Sequence, residues 1–374
     1  MSHDIVIPSE ARRGGRSRGI LVFCRSRRPA LALLALALIL PLTPASTRPN
    51  HDIVRIGVFT LFRPVELELR PVPGDALTIV AADETLVLEG TEHAHMRAAG
   101  RLIEVRARGR TLPASAVRAS SRSGEFELAI PERIERRFRG ALEVTLANQA
   151  LRPVVIMDLE TAVAAVVAAE SPPGAPLEAL KAQAVAARSY FVAVRARHSG
   201  FDFCDTTHCQ FLREAPARDH PATQAAVATR GLVLTHATRV VPAYYSASCG
   251  GRTRTLAELG LPAEDYPYYA VECAYCRLHA EEWERRLEEE DALPLLEGEN
   301  RERSRLDVGR RLGWSAVPGN NFTAVQEGDE VVLRGRGLGH GLGLCQRGAA
   351  AMAAEGAGFR AILSHYYLNT ALAP

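Results

Sequence analysis

Near residue 158 the spacing of apolar residues changes period, and no other feature of the chain limits its fold as strongly. Residues 53–59, 65–69, 77–80, 85–88 and 141–146 alternate apolar and polar side chains, or form short apolar runs, between Gly, Pro and Asp punctuation. A period of two sends successive side chains to opposite faces of a sheet, so residues 52–150 predict a β-rich region, a small sheet or barrel. It holds no catalytic constellation, which leaves it a packing or docking role. From Asp158 onward the period becomes helical. Within 176–198, Leu177, Leu180, Ala184, Ala187, Phe191, Val194 and His198 recur at steps of three and four, the buried stripe of one long helix. Pro176 suits a first helical position, and Glu178 complements the positive end of the helix. The expected fold class is α+β: an N-terminal β-rich region over 52–150, then a mixed α/β catalytic domain over 151–374 with a long central helix.

Further along, 232–234 and 240–246 predict strands. The acidic stretch 281–290, continuing through 301–312, predicts a helical segment anchored by Trp283, Leu287, Leu293 and Leu306, with its charges at the surface. Residues 330–334 predict a strand that feeds a glycine-rich stretch, 335–343, and helices are expected at 346–355 and 359–367.

The first 46 residues have the organisation of a targeting segment. Seven arginines precede an Ala/Leu run over 30–40, and Pro41-Leu-Thr-Pro-Ala-Ser46 follows with small residues suited to cleavage. That run is shorter than the ~20 residues a membrane span needs. Residues 1–46 are therefore expected to be a signal peptide or an N-terminal membrane anchor, which places the protein in the periplasm or cell envelope. Those seven arginines, set against Asp4 and Glu10, take the whole-chain charge of +2 to −3 for the remainder, which argues against a nucleic-acid partner.

The chemistry gathers in four places. Glu170 closes an apolar run, 161–169, just before Ser171-Pro-Pro-Gly174. A carboxyl among Ala and Val is poorly solvated, so its pKa should rise far enough to hold a proton near neutrality for general acid work; the alternative is a helix-end Glu that reaches solvent. The stretch from His198 to Gln210 contains His198, Cys204, His208 and Cys209, a donor set for tetrahedral zinc; a Cys204–Cys209 disulfide and a satisfied core His198 are the competing readings. Ser246 and Ser248, beside Gly250 and Gly251, could line a sugar groove or simply end a strand. His340 stands among the glycines of 335–343, which lack the Gly-Lys-Ser/Thr end of a phosphate loop, so His340 is read as a catalytic or binding residue brought close to a polymer. Lys181 and Arg188 share a helix face that either meets substrate or is solvated. Cys249, Cys273, Cys276 and Cys345 remain, and at least some of them are expected to meet as a disulfide or a second metal site.

Together, Val166-Val-Ala-Ala-Glu-Ser-Pro172, residues 177–190, Cys204-Asp-Thr-Thr-His-Cys-Gln210, Ser246-Ala-Ser-Cys-Gly-Gly251 and residues 335–346 resemble the stage II sporulation protein D family (SpoIID/LytB domain). The resemblance runs in order from about residue 53 to residue 372. It implies a peptidoglycan lytic transglycosylase or an enhancer of cell-wall amidases, with Glu170 as catalytic acid and zinc held by His198, Cys204, His208 and Cys209. The four other cysteines depart from the family pattern, in which Ser often stands at the position of Cys345.

The resulting expectation is an exported enzyme that cleaves the MurNAc–GlcNAc bond of peptide-stripped glycan strands and leaves 1,6-anhydroMurNAc ends. Glu170 would serve first as acid and then as base, since no second acid stands near the motifs. Lys181, Arg188, Ser246, Ser248, His340 and Gln346 are the expected substrate-binding residues, and structural zinc is the expected cofactor. The rival readings are a non-catalytic glycan-binding activator of a cell-wall amidase and a thiol hydrolase built on Cys345 and His340.

Overall fold

A computed structural model describes residues 52–374; the expected signal peptide or anchor at 1–46 lies outside the described residues. The α+β expectation holds. The alternation in the N-terminal part is realised as two antiparallel sheets whose apolar faces share one core. One sheet runs in the order Glu84–Glu89, Ala76–Ala81, Ala116–Ser121, Ala141–Ala147, Ala150–Asp158 and Ile53–Gly57. The other runs Arg110–Ala114, Leu102–Ala107, Ala94–Ala99, Glu66–Pro71, Glu125–Ile130 and Ile134–Arg139. Leu77, Ile79, Val117 and Val144 of the first meet Leu67, Met96, Val105 and Phe126 of the second, all fully buried. The strand Ala150–Asp158 crosses the residue-151 boundary and leads directly into the helical part.

Eight α-helices follow among the described residues: α1 (Leu159–Glu170), α2 (Leu177–Ala193), α3 (Pro221–Ala228), α4 (Ala274–His279), α5 (Glu289–Glu297), α6 (Arg301–Leu312), α7 (Gln346–Ala354) and α8 (Phe359–Tyr366). Asp158 caps α1 by accepting from the amides of Glu160 and Thr161 at 3.0 and 3.1 Å. The α1 and α2 helices are rich in Ala and Val and are covered on most sides, so α2 is the buried central helix the sequence predicts. It ends earlier than expected, at Ala193 rather than His198. Ala196 at φ 58° and Gly200 at φ 94° turn the chain back, which brings His198 to its loop partners.

The acidic stretch departs further from expectation. Glu282–Glu288 is a strand paired antiparallel with Glu330–Arg336, and helix begins only at Glu289. Trp283 and Leu287 lie four apart, a spacing that satisfies a helix and a strand equally, and pairing with the Val331–Leu333 run decides for the strand. Both side chains enter a second small core with Leu295, Val308 and Val317, whereas Leu293 is exposed. Of the predicted strand 240–246, only Arg239–Val240 and Tyr245–Ser246 pair.

The glycine-rich stretch is a backbone seam. The bridge between Ser248 and Leu338 and the parallel pairing of Tyr245–Ser246 with Leu344–Cys345 press this chain against 244–250. Gly343 has φ 64°, and a Cβ there would lie 1.9 Å from the Tyr244 carbonyl oxygen. Close approach of two backbones, rather than phosphate binding, accounts for the glycine there.

Candidate active site and metal centre

The C-terminal end of α1 delivers Glu170 to a cleft of about 430 Å³. Its walls come from 207–211 after α2, from 243–247, from α6 and Trp314, and from Gly339, His340 and Gln346. Glu170 Oε1 accepts from the Phe211 amide at 2.5 Å, and its carbonyl accepts from Gln346 Nε2 at 2.9 Å. Burial pushes the carboxyl up to about 7, against the lowering effect of the Phe211 amide and the Tyr245 hydroxyl. The raised pKa expected from the sequence is therefore present, and its cause is the expected one. The Tyr245 hydroxyl donates to Gln210 Oε1 at 2.9 Å, and Gln210 Nε2 reaches the Ala187 carbonyl at 3.3 Å, so the floor of the cleft is tied to α2.

Ser246, His340 and Gln346 line the same cleft as Glu170. The Ser246 hydroxyl is buried without a hydrogen-bond partner among the described residues. His340 Nδ1 accepts from the Leu342 amide at 3.0 Å, and burial lowers its pKa while Glu302 opposes the shift.

Three expected substrate-binding residues lie elsewhere. Arg188 is only 1% exposed; its guanidinium meets Glu160 at 2.8 and 2.5 Å and the carbonyls of Ala226 and Leu232 at 3.1 Å each. A cation on that face is thus neither solvated nor offered to substrate, because it joins α1, α2 and the end of α3 internally. Lys181 pairs with Glu178 at 2.6 Å near the start of α2, and Glu178 in turn accepts from the Phe359 amide that opens α8. Ser248 is buried with its hydroxyl 3.6 Å from Cys276 Sγ, beyond the cleft wall.

The expectation of no second acid is corrected. Glu302 lines the cleft, presented by the acidic stretch that the sequence assigned to the surface. Burial acts to raise its pKa, but hydrogen bonds and charge from Arg305, at 2.7 and 2.9 Å, outweigh it and leave the carboxyl below its ordinary range. The cleft thus holds two carboxyls whose environments push their pKa values in opposite directions, Glu170 upward and Glu302 downward. Its signal in the sequence was weak, since Glu302 belongs to a charge run and only the fold of the 282–336 segment turns it inward. Tyr244, Phe211 and Trp314 add aromatic surface to the walls.

Beside the cleft, His198, Cys204, His208 and Cys209 present four ligand atoms that all lie within 4.8 Å of one another. His198 Nε2 is 3.2 Å from Cys209 Sγ, and His208 Nδ1 is 3.7 and 3.6 Å from the sulfurs of Cys204 and Cys209. A tetrahedral ion with ligands at about 2.0–2.3 Å spaces its donors by roughly 3.3–3.8 Å, so this set fits zinc. The cysteines are free thiols, not a disulfide. Phe203–Cys204 adds to the edge of the first sheet beside Ile53–Gly57, and Asp205 accepts from the Phe59 amide at 2.8 Å and Thr60 Oγ1 at 2.9 Å. The β-rich region therefore anchors this loop.

A second group, Cys249, Cys273, Cys276 and Cys345, is wholly buried, and its four sulfurs also converge within 4.8 Å. The expected meeting of these cysteines is present in full. Cys345 faces the other sulfurs and is 0% exposed, which removes the reading of Cys345 and His340 as a thiol hydrolase pair.

Fold and site together define an α+β protein with a half-buried acid at the end of one helix, opening on an aromatic-walled cleft beside a loop whose four His and Cys donors could hold a metal ion. Comparison with known proteins agrees with the motif resemblance. Residues 147–236 match the SpoIID family model, described as Stage II sporulation protein, and this stretch includes Glu170 and all four ligands of the loop. Stage II sporulation protein D of Bacillus subtilis is 25% identical over 266 residues, 60% of this chain and 76% of its own length. An uncharacterized protein of Brachyspira hyodysenteriae is 28% identical over 260 residues, 62% of this chain and 70% of its own. Residues 147–236 thus carry a SpoIID domain, and the chain is similar over a longer stretch to a stage II sporulation protein D.

Proposed function

We propose that this protein is an extracytoplasmic lytic transglycosylase that cleaves the MurNAc–GlcNAc bond of peptidoglycan glycan strands and forms 1,6-anhydroMurNAc ends. The family assignment supports a cell-wall role. The observation that carries the finer reading is Glu170, a carboxyl held up to about 7 by burial in a cleft that also offers aromatic and hydroxyl surface. Such a group can give its proton to a glycosidic oxygen near neutrality. As the carboxylate that remains, it can accept the proton of the muramic acid 6-hydroxyl while that oxygen closes on C1. Glu302, ionised beside Arg305, contributes negative charge to the same cleft as the sugar becomes oxocarbenium-like. Tyr244, Phe211 and Trp314 suit the apolar faces of sugar rings, and Ser246, His340 and Gln346 their hydroxyl and acetamido groups.

His198, Cys204, His208 and Cys209 would hold one zinc ion. Four protein ligands leave no position for a reacting water, so the ion would supply loop stability and no chemistry. No helix among the described residues is long and apolar enough to cross a membrane. The expected export segment carries the extracytoplasmic part of the proposal.

The test is digestion of peptide-stripped glycan strands in heavy-oxygen water, with mass spectrometry of the ends. Unlabelled 1,6-anhydro ends are expected, because transglycosylation consumes no water. Labelled reducing ends would mean hydrolysis, with Glu302 or another group activating water. Strands bound but uncut, with an added cell-wall amidase stimulated, would replace the enzyme with a glycan-binding activator.

A further inference from the structure

We infer that Cys249, Cys273, Cys276 and Cys345 form a second metal site, a closed four-thiolate zinc centre on the far side of the cleft wall. The four residues come from three separate segments: the turn after Tyr245–Ser246, the start of α4, and the residue that caps α7. Folding nonetheless brings all four sulfurs within 4.8 Å of one another, with Cys276 and Cys345 at 3.4 Å. Zinc bound to four sulfurs at about 2.3 Å spaces them by roughly 3.8 Å. The observed convergence matches that size. An iron–sulfur cluster places several ions and sulfides between its cysteines and needs a wider cage.

The surroundings are those of a thiolate site. The amides of Cys249 and Gly348 both donate to Cys345 Sγ at 3.4 Å, and Cys345 occupies the N-terminal cap of α7, where the helix favours negative charge. The hydroxyls of Ser248 and Tyr366 lie 3.6 Å from Cys276 Sγ and Cys273 Sγ. Hydrogen bonds of this kind orient ligands and offset their charge. Gly348 has a further role, because a Cβ there would lie 2.5 Å from Cys273 Sγ; the packing around the sulfurs leaves no space for a side chain. Four buried thiolates also need a compensating cation, and a zinc ion supplies two positive charges while the thiol protons leave.

This centre would fix the cleft from behind. Cys345 immediately precedes Gln346, whose side chain holds the Glu170 carbonyl, and Cys249 directly follows Ser248 and stands three residues after Ser246. Three chain segments that share little regular secondary structure would thus be tied at one point.

Metal analysis of the full chain, purified without chelator, tests the assignment. Two zinc ions per chain are expected for the wild type, one for a Cys273→Ser/Cys276→Ser variant and one for a His208→Ala/Cys209→Ser variant. Cobalt loaded into the latter should give the strong sulfur-to-cobalt charge-transfer absorption of an all-thiolate tetrahedral site. The wild-type measurement stands whether or not a variant folds. A single zinc in the wild type would overturn the proposal, and intact mass would then show either four alkylatable thiols or two disulfides, at a loss of about four hydrogens. Iron in place of the second zinc would overturn the assignment of the metal.

Discussion

Replacing Glu170 with Gln separates two consequences of one property, the proton that burial keeps on this carboxyl. The side chain is raised from an ordinary 4.5 to about 7 in the fold. Each pKa unit corresponds to about 1.4 kcal/mol, so the shift is worth roughly 3 kcal/mol of pH-dependent stability. The folded pKa is above the unfolded one. The native state therefore binds more protons between pH 4.5 and 7, and wild-type stability falls as pH rises through that window. Below it the carboxyl is neutral in both states and costs nothing extra; above it the fold carries a poorly solvated carboxylate. Glu170→Gln is neutral throughout and escapes the loss.

The stability difference, variant minus wild type, should accordingly grow by roughly 3 kcal/mol from pH 4 to pH 8. Urea unfolding at a series of pH values measures it, and subtraction cancels every other titrating group. The same variant should lose about 10²–10⁴-fold in glycan cleavage, the usual contribution of a general acid. Wild-type cleavage should itself decline above about pH 7, as Glu170 gives up its proton. A stability difference that is flat with pH would refute the buried-proton argument, since it would mean that the folded carboxyl titrates like an unfolded one. A variant more stable than the wild type at pH 8 yet fully active would leave the burial argument intact and remove Glu170 from catalysis.

Other perturbations test other parts of the structure. Cys204→Ser or His208→Ala should lose the metal of the loop and lower both stability and activity, because closure of the site is coupled to folding; zinc content read beside thermal unfolding decides it. Arg188→Met should cost about 3–5 kcal/mol by leaving Glu160 unpaired near the protein interior, while any folded fraction keeps its KM, since Arg188 lies outside the cleft; a selective rise in KM would restore Arg188 to substrate binding. Glu302→Gln should lower kcat at least about tenfold, or 1.4 kcal/mol, with little change in KM, if its charge acts chiefly on the developing cation. An unchanged kcat would make Glu302 a structural partner of Arg305 only.

The parts of the molecule legible from sequence were those whose signals are local. Alternation marked several strands of the β-rich region, the three-and-four spacing marked α2, and the apolar run before Glu170 predicted the pKa shift and its cause. Strands such as Ala94–Ala99 and Ile134–Arg139 escaped because their charged and small residues break the alternation, and only pairing with neighbours in the second sheet stabilises them. The 282–288 strand was misread because Trp283 and Leu287 satisfy either period. Arg188 was assigned to substrate because helix spacing reports which residues share a face, not what covers that face; here α1 brings Glu160 across to meet it. Glu302 had no local mark at all, since its neighbours along the chain are charged and its inward placement depends on a small core formed between 283 and 333.

The two cysteine groups show how a local acid acquires a non-local environment. Cys209 precedes by two residues the Phe211 amide that contacts Glu170 Oε1, and Cys345 directly precedes Gln346, which holds the Glu170 carbonyl. Each group of four side chains therefore stands next in the chain to one contact of the acid. Burial is the largest cause of the raised pKa, so the shift survives only while both sides keep water out. Losing the Phe211 donor alone would raise the pKa further, yet a loop free to move away would also admit water, and the larger effect would then pull the pKa down. With a metal in each group, a proton on Glu170 near neutrality would depend on the closure of two clusters that the acid does not touch. The apolar run that precedes Glu170 supplies the tendency, and the cleft walls built from the segments around Phe211 and Gln346 maintain it.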